Sequence, residues 1–253
     1  MLRNSFRMKY TVCIAAIGLV AAGCGGQSNP VAGQPTTTAP PPTTTAATTT
    51  AQQRMPLELF FLASDGKLVA ASRNVEQTQA PGGAALRELT TAPAGATTQV
   101  PEGLQLTITN GQAHVTGATL DDAALAQIVY ALTSFPTVQS VNGKTRADVE
   151  DFAPAILVEH PASGETVTSP LQVTGTANTF EATFNYRLKE AGGNVLAKDF
   201  VTATSGSGTR GTFDFTVSFN VDSAQNGTLA VFELSAEDGS VIHERDIPLR
   251  LSP

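Results

Sequence analysis

The sequence predicts two folded domains, an α+β domain followed by an all-β sandwich. Three observations support this prediction. In the first half, apolar residues recur at helical spacing between segments with strand-like alternation. In the second half, only short strand-like segments occur, separated by glycine-containing turns. The first 50 or so residues contain one short apolar run and no other apolar periodicity, so we expect the folded part to begin after them.

Residues 1–23 have the features of an export signal. Arg3, Arg7 and Lys9 give the N-terminus a positive charge, and residues 11–23 are uncharged and mainly apolar. A bilayer-spanning helix needs roughly 20 apolar residues, and this run has only 13 residues in all. We therefore predict a cleavable signal peptide rather than a permanent transmembrane helix.

The end of this segment is a run of small residues, Ala21-Ala22-Gly23, that leads directly into Cys24. The run resembles the lipobox of bacterial lipoproteins, in which the peptide is cut before the cysteine and its thiol carries diacylglycerol. The resemblance implies that Cys24 begins the mature protein and carries the lipid. An ordinary secretory signal that ends by chance at a cysteine is the alternative. The expected location is extracytoplasmic, at the outer face of the cell membrane.

Residues 24–54 form a linker rich in threonine and proline, without the apolar periodicity around which a core could form. Proline favours extended backbone, so we expect a semi-rigid spacer between the membrane and the domains. Featureless disorder is compatible with the same composition. Threonine-rich tracts with proline are also typical of O-glycosylated stalks, so sugar on this segment is a further hypothesis.

Residues 55–151 predict the order strand, helix, hairpin, helix, strand. The first strand covers residues 57–62 and ends at the turn Ser64-Asp65-Gly66, and a short helix follows Pro81-Gly82-Gly83. Alternating residues on both sides of Asn110-Gly111 predict a β-hairpin. This order is typical of an α+β domain with helices packed on a small sheet.

The second helix is the clearest element of that domain and covers residues 121–134. Its apolar residues share one face, at Leu125, Ile128, Val129 and Leu132. Thr119 and Asp121 are the candidate N-caps. Residues 137–141 form the last predicted strand.

Residues 152–253 contain seven candidate strands and no helical periodicity. The strands cover residues 156–159, 171–174, 182–188, 195–202, 212–219, 229–234 and 241–251. Turn signals separate them, among them Asn226-Gly227 and Asp238-Gly239. About seven short strands in roughly 100 residues are typical of an immunoglobulin-like sandwich.

Both domains contain segments that resemble known families. Residues 125–138 (LAQIVYALTSFPTV) and Val141-Asn142-Gly143 resemble the end of the GerM-type domain of sporulation and germination lipoproteins. Residues 161–175 (PASGETVTSPLQVTG) and 231–240 (VFELSAEDGS) resemble the immunoglobulin-like domain of bacterial spore germination proteins. The order resembles Gram-positive, particularly actinobacterial, lipoproteins, many from bacteria that do not sporulate. GerM-type domains are similar to ring-building modules, which implies scaffolding or assembly.

Charge and cysteine content limit the partners. The formal net charge of the 253 residues is −7, and without the three basic residues of the signal, twelve basic and 22 acidic residues leave −10. An acidic chain without basic clusters does not attract nucleic acid or anionic lipid, so we expect no nucleic-acid partner. The membrane contact is expected to depend on the lipid on Cys24. The other cysteine, Cys13, lies in the signal, so the folded part has no disulfide.

Residues that could carry chemistry are few and scattered. His114, His160 and His243 have no second histidine or cysteine at ligand spacing, so we predict no metal site and no cofactor. The carboxylate pairs Asp121-Asp122 and Glu150-Asp151 are better explained as helix cap and linker charge than as catalytic pairs. We therefore predict no catalytic residues.

Two further residues stand out in the sequence. Glu181, in a segment that resembles the second family, is expected to hold its loop by accepting backbone hydrogen bonds, and contact with a partner is the alternative. Tyr130 is interpreted as helix core with its hydroxyl at the edge. Neither interpretation requires catalysis.

The leading functional hypothesis is a non-enzymatic, lipid-anchored protein that acts by protein–protein contact as a binding or scaffold protein of the cell envelope. The partner is expected to be an envelope protein, which the sequence does not identify. The alternatives are a peptidoglycan-directed enzyme or accessory factor and a small-molecule sensor. The absence of tryptophan argues against a sugar-binding site.

Overall fold

The computed structural model describes residues 53–253. The export signal, Cys24 and nearly all of the linker lie outside the described residues. The described part contains thirteen β-strands, two α-helices and two short 3₁₀ segments around two hydrophobic cores. An α+β region precedes a β-sandwich, which confirms the predicted fold class.

The first domain contains two small sheets and two helices. Its elements are β1 (Arg54–Leu62), β2 (Leu68–Glu76), α1 (Pro81–Leu89), β3 (Gln105–Thr109), β4 (Gln112–Thr116), α2 (Asp122–Thr133) and β5 (Ser140–Val141). β1 and β2 pair antiparallel, whereas β3, β4 and β5 form a second sheet in that order. Both helices pack on β1, so one core joins the two sheets.

Two predictions for this domain need correction. The sequence predicts one strand before α1, but the structure has a hairpin, because β2 follows the turn after β1. β2 was missed because only Leu68, Ala70 and Ala71 of its nine residues are buried. The last strand is shorter than predicted, since only residues 140 and 141 pair with β4.

Helix α2 begins as predicted, because Asp121 caps it. Oδ1 of Asp121 accepts the N–H of Ala124 at 2.7 Å. The buried Gln127 fixes α2 to β1, since its Nε2 donates to the carbonyl oxygen of Phe60 at 2.9 Å. Within residues 53–253, no helix combines the length and apolar character needed to cross a membrane.

The hairpin between β3 and β4 is confirmed, and its turn is well defined. Asn110 and Gly111 have φ of 51° and 80°. Positive φ at both central residues defines a type I′ turn, which favours Asn-Gly because glycine adopts this conformation without strain. The turn fixes the register of the two strands, with Thr109 opposite Gln112.

The second domain is a sandwich of two sheets. Its strands are β6 (Ile156–His160), β7 (Thr166–Thr168), β8 (Leu171–Ala177), β9 (Thr183–Glu190), β10 (Val195–Thr202), β11 (Gly211–Val217), β12 (Gln225–Leu234) and β13 (Val241–Ser252). The larger sheet has the order β10-β9-β12-β13-β7 and the smaller one β11-β8-β6. Phe184 of one sheet packs on Phe213 of the other, with ring centroids 4.9 Å apart.

All seven predicted strands of the sandwich are present, but β7 was not predicted and one turn is wrong. Asn226-Gly227, read as a turn, lies inside β12. A Cβ atom on Gly227 would lie 2.6 Å from Cδ1 of Leu251 and 2.8 Å from the carbonyl oxygen of Lys189. The glycine therefore marks a close approach of neighbouring strands rather than a turn.

Candidate functional sites at the domain junction and the Phe180 turn

The three histidines of the chain lie on three different strands. His114 is exposed on β4, His160 ends β6 and His243 lies on β13. Within residues 53–253, no group of three or more His, Cys, Asp or Glu side chains is placed to hold a metal ion. Cys24 lies outside the described residues, so its lipid stays a prediction.

The carboxylate pairs have structural positions. Asp121 caps α2, as expected. Glu150 has a larger role than linker charge, because its Oε1 accepts from Arg210 Nε at 3.1 Å and from Asn178 Nδ2 at 3.1 Å. Arg210 also donates to the carbonyl oxygen of Pro154 at 2.8 Å. These bonds attach the segment between the domains to the sandwich.

The two domains meet in a buried contact that the sequence does not predict. Leu157 of β6 is only 2% exposed and packs in the core of the first domain, although its strand belongs to the sandwich. β2 contacts β6, and the N–H of Ser163 donates to the carbonyl oxygen of Ala70 at 3.3 Å. We call this contact, with the polar groups around it, the domain junction.

Arg146 is the centre of the polar part of the domain junction. It lies in the 3₁₀ segment Arg146–Phe152, and its Nη1 donates to both carboxylate oxygens of Glu159 at 2.9 and 3.0 Å. Its Nη2 donates to the carbonyl oxygen of Tyr130 at 3.1 Å, and its Nε to Oγ1 of Thr133 at 2.8 Å. A cation is favourable at the C-terminal end of a helix. One side chain thus ties the end of α2 to β6.

Tyr130 departs from its sequence interpretation. The residue is 1% exposed, so its hydroxyl is buried rather than at an edge. That hydroxyl has no hydrogen-bond partner among the described residues. The Arg146 guanidinium carbon lies 4.6 Å from the centroid of the tyrosine ring, close enough for a cation–π contact. The ring therefore serves the domain junction as a packing surface.

Glu58 of β1 is a second carboxylate at the domain junction. Burial raises the pKa of Glu58 to about 7, the charge of Glu159 adds to the rise, and Arg146 opposes it. Its Oε1 has no hydrogen-bond partner among the described residues. With Arg146 and Glu159 it lines an open groove of roughly 600 Å³. Glu58 can therefore exchange a proton near neutral pH.

Sequence reasoning missed Glu58, although a signal was present. It is the single charged residue in the apolar run from Leu57 to Leu62. A charge at such a position is expected either to have a partner or to change its pKa. Which of the two happens depends on donors from distant parts of the chain.

The turn Phe180–Ala182 and the strands beside it form a second candidate site, which we call the Phe180 turn. Glu181 and Ala182 have φ of 53° and 58°, a left-handed conformation that is unusual outside glycine. Glu181 was expected to hold the loop, but its side chain is exposed. Glu233 has that role instead, because its Oε1 accepts the N–H of Phe180 at 2.8 Å.

The other oxygen of Glu233 is also engaged. Nδ1 of His243 lies 2.9 Å from Oε2 of Glu233, which is 6% exposed. Gly206 also packs closely against the turn, since a Cβ atom there would lie 2.4 Å from the backbone nitrogen of Ala182. The turn is therefore bonded to Glu233 and packed against Gly206, while the side chain of Phe180 remains 58% exposed. An exposed aromatic side chain on a turn that is held in this way is suited to contact with a partner.

The described chain is an α+β domain fused to an immunoglobulin-like sandwich through a buried contact. Residues 58–142 match the family described as sporulation and spore germination. Residues 155–240 match the family described as the immunoglobulin-like domain of bacterial spore germination. Each domain therefore matches the family that its part of the sequence resembles, which confirms the two resemblances. Neither family description names an enzymatic activity.

One similar solved structure contains the tandem GerMN domains of the sporulation protein GerM from Bacillus subtilis. The identity is 11% and the TM-score 0.32, over 79% of this chain and 61% of that one. This chain thus spans about 61% of the length of that structure, and a similarity of this degree carries no argument about function. No curated protein matches the chain significantly.

Proposed function

We propose that the protein is an exported, lipid-anchored member of the spore germination families that acts as a binding scaffold of the cell envelope and not as an enzyme. The lipid on Cys24 holds it at the outer face of the cell membrane, and residues 24–54 separate the domains from the bilayer. The lipobox-like run before Cys24 supports the anchor. A net charge of −10 after removal of the signal supports it too, because such a chain has no electrostatic attraction to anionic lipid.

The observation that carries the scaffold proposal is the buried domain junction. Domains joined by an exposed linker move independently, whereas a buried apolar contact restrains their distance and orientation. Leu157 supplies that contact and Arg146 supports it with hydrogen bonds to both sides. A scaffold needs such a restraint, because it holds partner proteins at fixed positions relative to each other. Exposed apolar side chains on both domains, including Ile108 and Phe180, supply area for such contacts.

The scaffold proposal is tested by photo-crosslinking in cells. A photoreactive amino acid is placed at Phe180, and in a second strain at the exposed Phe200. We expect crosslinks to one or a few envelope proteins, and we expect their loss in Cys24→Ser, which is no longer held at the membrane. The matched control is the same photoreactive residue at Glu237, on an exposed turn of the sandwich. Crosslinks to no envelope protein above this control would contradict the proposal.

The anchor is tested separately by fractionation and mass spectrometry. We expect a mature N-terminus at Cys24 with a mass increase that corresponds to lipid. Cys24→Ser should leave the membrane fraction while the far-UV spectrum of both domains is unchanged. A Cys24→Ser protein that remained in the membrane fraction would show that another segment provides the anchor.

A peptidoglycan-directed enzyme is the second candidate function, and one observation favours it. Glu58 and Glu159 line the same groove, and the pKa of Glu58 is raised to about 7. Glycosidases use two carboxylates with different pKa values. Two features oppose this function, because Arg146 engages both oxygens of Glu159 and Oε1 of Glu58 is buried. Release of fragments from purified cell wall, abolished by Glu58→Gln, would establish an enzyme and contradict the scaffold proposal.

A further inference from the structure

Strand β3 is an edge strand without the usual protection. One side of β3 pairs with β4, and the other side has no strand partner within residues 53–253. Its residues are all uncharged: Gln105, Leu106, Thr107, Ile108 and Thr109. Natural proteins usually protect an exposed edge with charges, proline or a bulge, because its free backbone groups can pair with another strand. β3 has none of these three, although it has only five residues and α1 contacts it.

The hairpin turn determines which backbone groups face outward. In a type I′ turn at Asn110-Gly111, the flanking Thr109 and Gln112 exchange hydrogen bonds. Bonded and non-bonded pairs alternate along an antiparallel ladder, so Leu106 and Ile108 occupy non-bonded positions opposite β4. Their N–H and C=O groups therefore point away from β4. Among the described residues, no backbone hydrogen bond from another segment reaches these groups.

We propose that β3 pairs antiparallel with β3 of a second copy of this chain, around a two-fold axis at Thr107. In this register, Leu106 of each copy lies opposite Ile108 of the other, and these residues exchange all their outward N–H and C=O groups. Thr107 lies opposite its own counterpart, with Cα atoms about 4.5 Å apart. Thr–Thr and aliphatic pairs are favourable across strands. The two three-stranded sheets become one continuous sheet of six strands.

Strand β10 shows why charge decides between edges. β10 is the edge of the larger sandwich sheet and carries Lys198 and Asp199 at its centre. A two-fold pairing that extends a sheet places the same face of both copies on one side. Side chains directly opposite each other lie on the same face, so the residue at the two-fold axis must lie opposite its own counterpart. Two registers give the greatest overlap between β10 and β10 of a second copy. Lys198 would lie opposite Lys198 of the other copy in one register, and Asp199 opposite Asp199 in the other. Like charges directly opposite each other are destabilising, so β10 does not favour self-pairing.

The surroundings of β3 also favour a second copy. The exposed face of the hairpin consists of uncharged polar side chains and one histidine: Gln105, Thr107, Thr109, Gln112, His114 and Thr116. Two acidic copies repel each other over most of their surface, so they approach most easily where charge is absent. Ile108, which is 43% exposed, gains an apolar neighbour in the pairing.

A cysteine crosslink tests the register in the full-length protein in its own membrane. We expect Thr107→Cys to give a disulfide-linked dimer on mild oxidation, because the two sulfur atoms meet at the axis. Gln105→Cys is the matched control, since its two copies would lie roughly 14 Å apart along the strands. If Gln105→Cys gave as much dimer as Thr107→Cys, the proposed register would be wrong. If the cysteine at position 107 formed a disulfide with another protein instead, the partner would not be a second copy of this chain.

A charge exchange tests the axis independently. Two differently tagged full-length copies are produced together, and their co-purification in detergent is measured. With Thr107→Lys in both copies, or Thr107→Asp in both, we expect co-purification to fall about tenfold, whereas one copy of each variant should restore it. The control Thr116→Lys, an exposed residue of β4 away from the edge, should behave as the unchanged chain does. Copies that do not co-purify, or a Thr107→Lys pair that still does, would overturn the proposal.

Discussion

Glu58 at the domain junction and Glu233 at the Phe180 turn are both largely buried carboxylates on strands, but their surroundings differ. Glu233 accepts the N–H of Phe180 at 2.8 Å and lies 2.9 Å from Nδ1 of His243. Oε1 of Glu58 has no partner among the described residues, and burial raises the pKa of Glu58 to about 7. A buried carboxylate stabilises a fold only where donors meet its charge. Glu233 therefore holds a strained turn, whereas ionised Glu58 weakens the domain junction.

The largest expected effect comes from breaking the apolar part of the domain junction with Leu157→Ala. The side chain is 2% exposed, so its removal leaves a cavity between the domains and should lower the free energy of unfolding by about 3 kcal/mol. Urea denaturation of the mature protein measures the change. Leu234→Ala, at a leucine that is 46% exposed, is the matched control and should cost less than about 0.5 kcal/mol. Equal effects of the two changes would mean that the domain junction contributes no stability.

Glu58→Gln is expected to change the free energy of unfolding by an intermediate amount, and this change depends on pH. The folded-state pKa of about 7 lies above the ordinary value of 4.5, so the folded protein holds a proton that the unfolded chain releases. This stabilisation is present below pH 4.5 and is lost as the pH rises through about 7. Glutamine does not ionise, so the free energy of unfolding of the variant should exceed that of the unchanged protein by about 2 kcal/mol at pH 8 and by much less at pH 5. Denaturation at both pH values measures this, and a difference independent of pH would contradict it.

The corresponding substitution at the Phe180 turn should lower the free energy of unfolding rather than raise it. Glu233→Gln keeps the shape of the side chain but removes the charge that strengthens its hydrogen bonds. We therefore expect the free energy of unfolding to fall by about 1 kcal/mol at neutral pH. Hydrogen exchange at the amide of Phe180 should become faster, because this amide donates to Glu233. A more stable Glu233→Gln protein with an unchanged exchange rate would remove the distinction between the two carboxylates.

Much of the fold could be predicted because its signals are local. The apolar face of α2, its cap at Asp121 and the turn at Asn110-Gly111 each depend on residues close together in the sequence. β2 and β7 were missed for the opposite reason. β2 is mostly polar in its second half, and the three-residue β7 exists because it pairs with β13, more than 80 residues further along the chain.

The candidate sites could be predicted less well, because they depend on tertiary contacts. Leu157 has the pattern of a sandwich strand, and nothing in its neighbours indicates that it enters the other core. Glu181 was chosen for the loop because it is adjacent in the sequence, whereas Glu233, more than 50 residues away, provides the acceptor. Gly227 was read as part of a turn because its packing against Leu251 is visible only in the folded chain.

We expect the domain junction to make the two domains one cooperative unit, and two tyrosines allow a direct test. The chain has no tryptophan, and Tyr130 and Tyr186 are its tyrosines after the predicted signal, one in each domain. In the mature protein, Tyr186→Phe leaves a reporter in the first domain and Tyr130→Phe leaves one in the sandwich. We expect the tyrosine fluorescence of each variant to change at the same urea concentration as its far-UV circular dichroism, which reports both domains. A fluorescence transition separated from the circular dichroism transition in either variant would contradict this expectation.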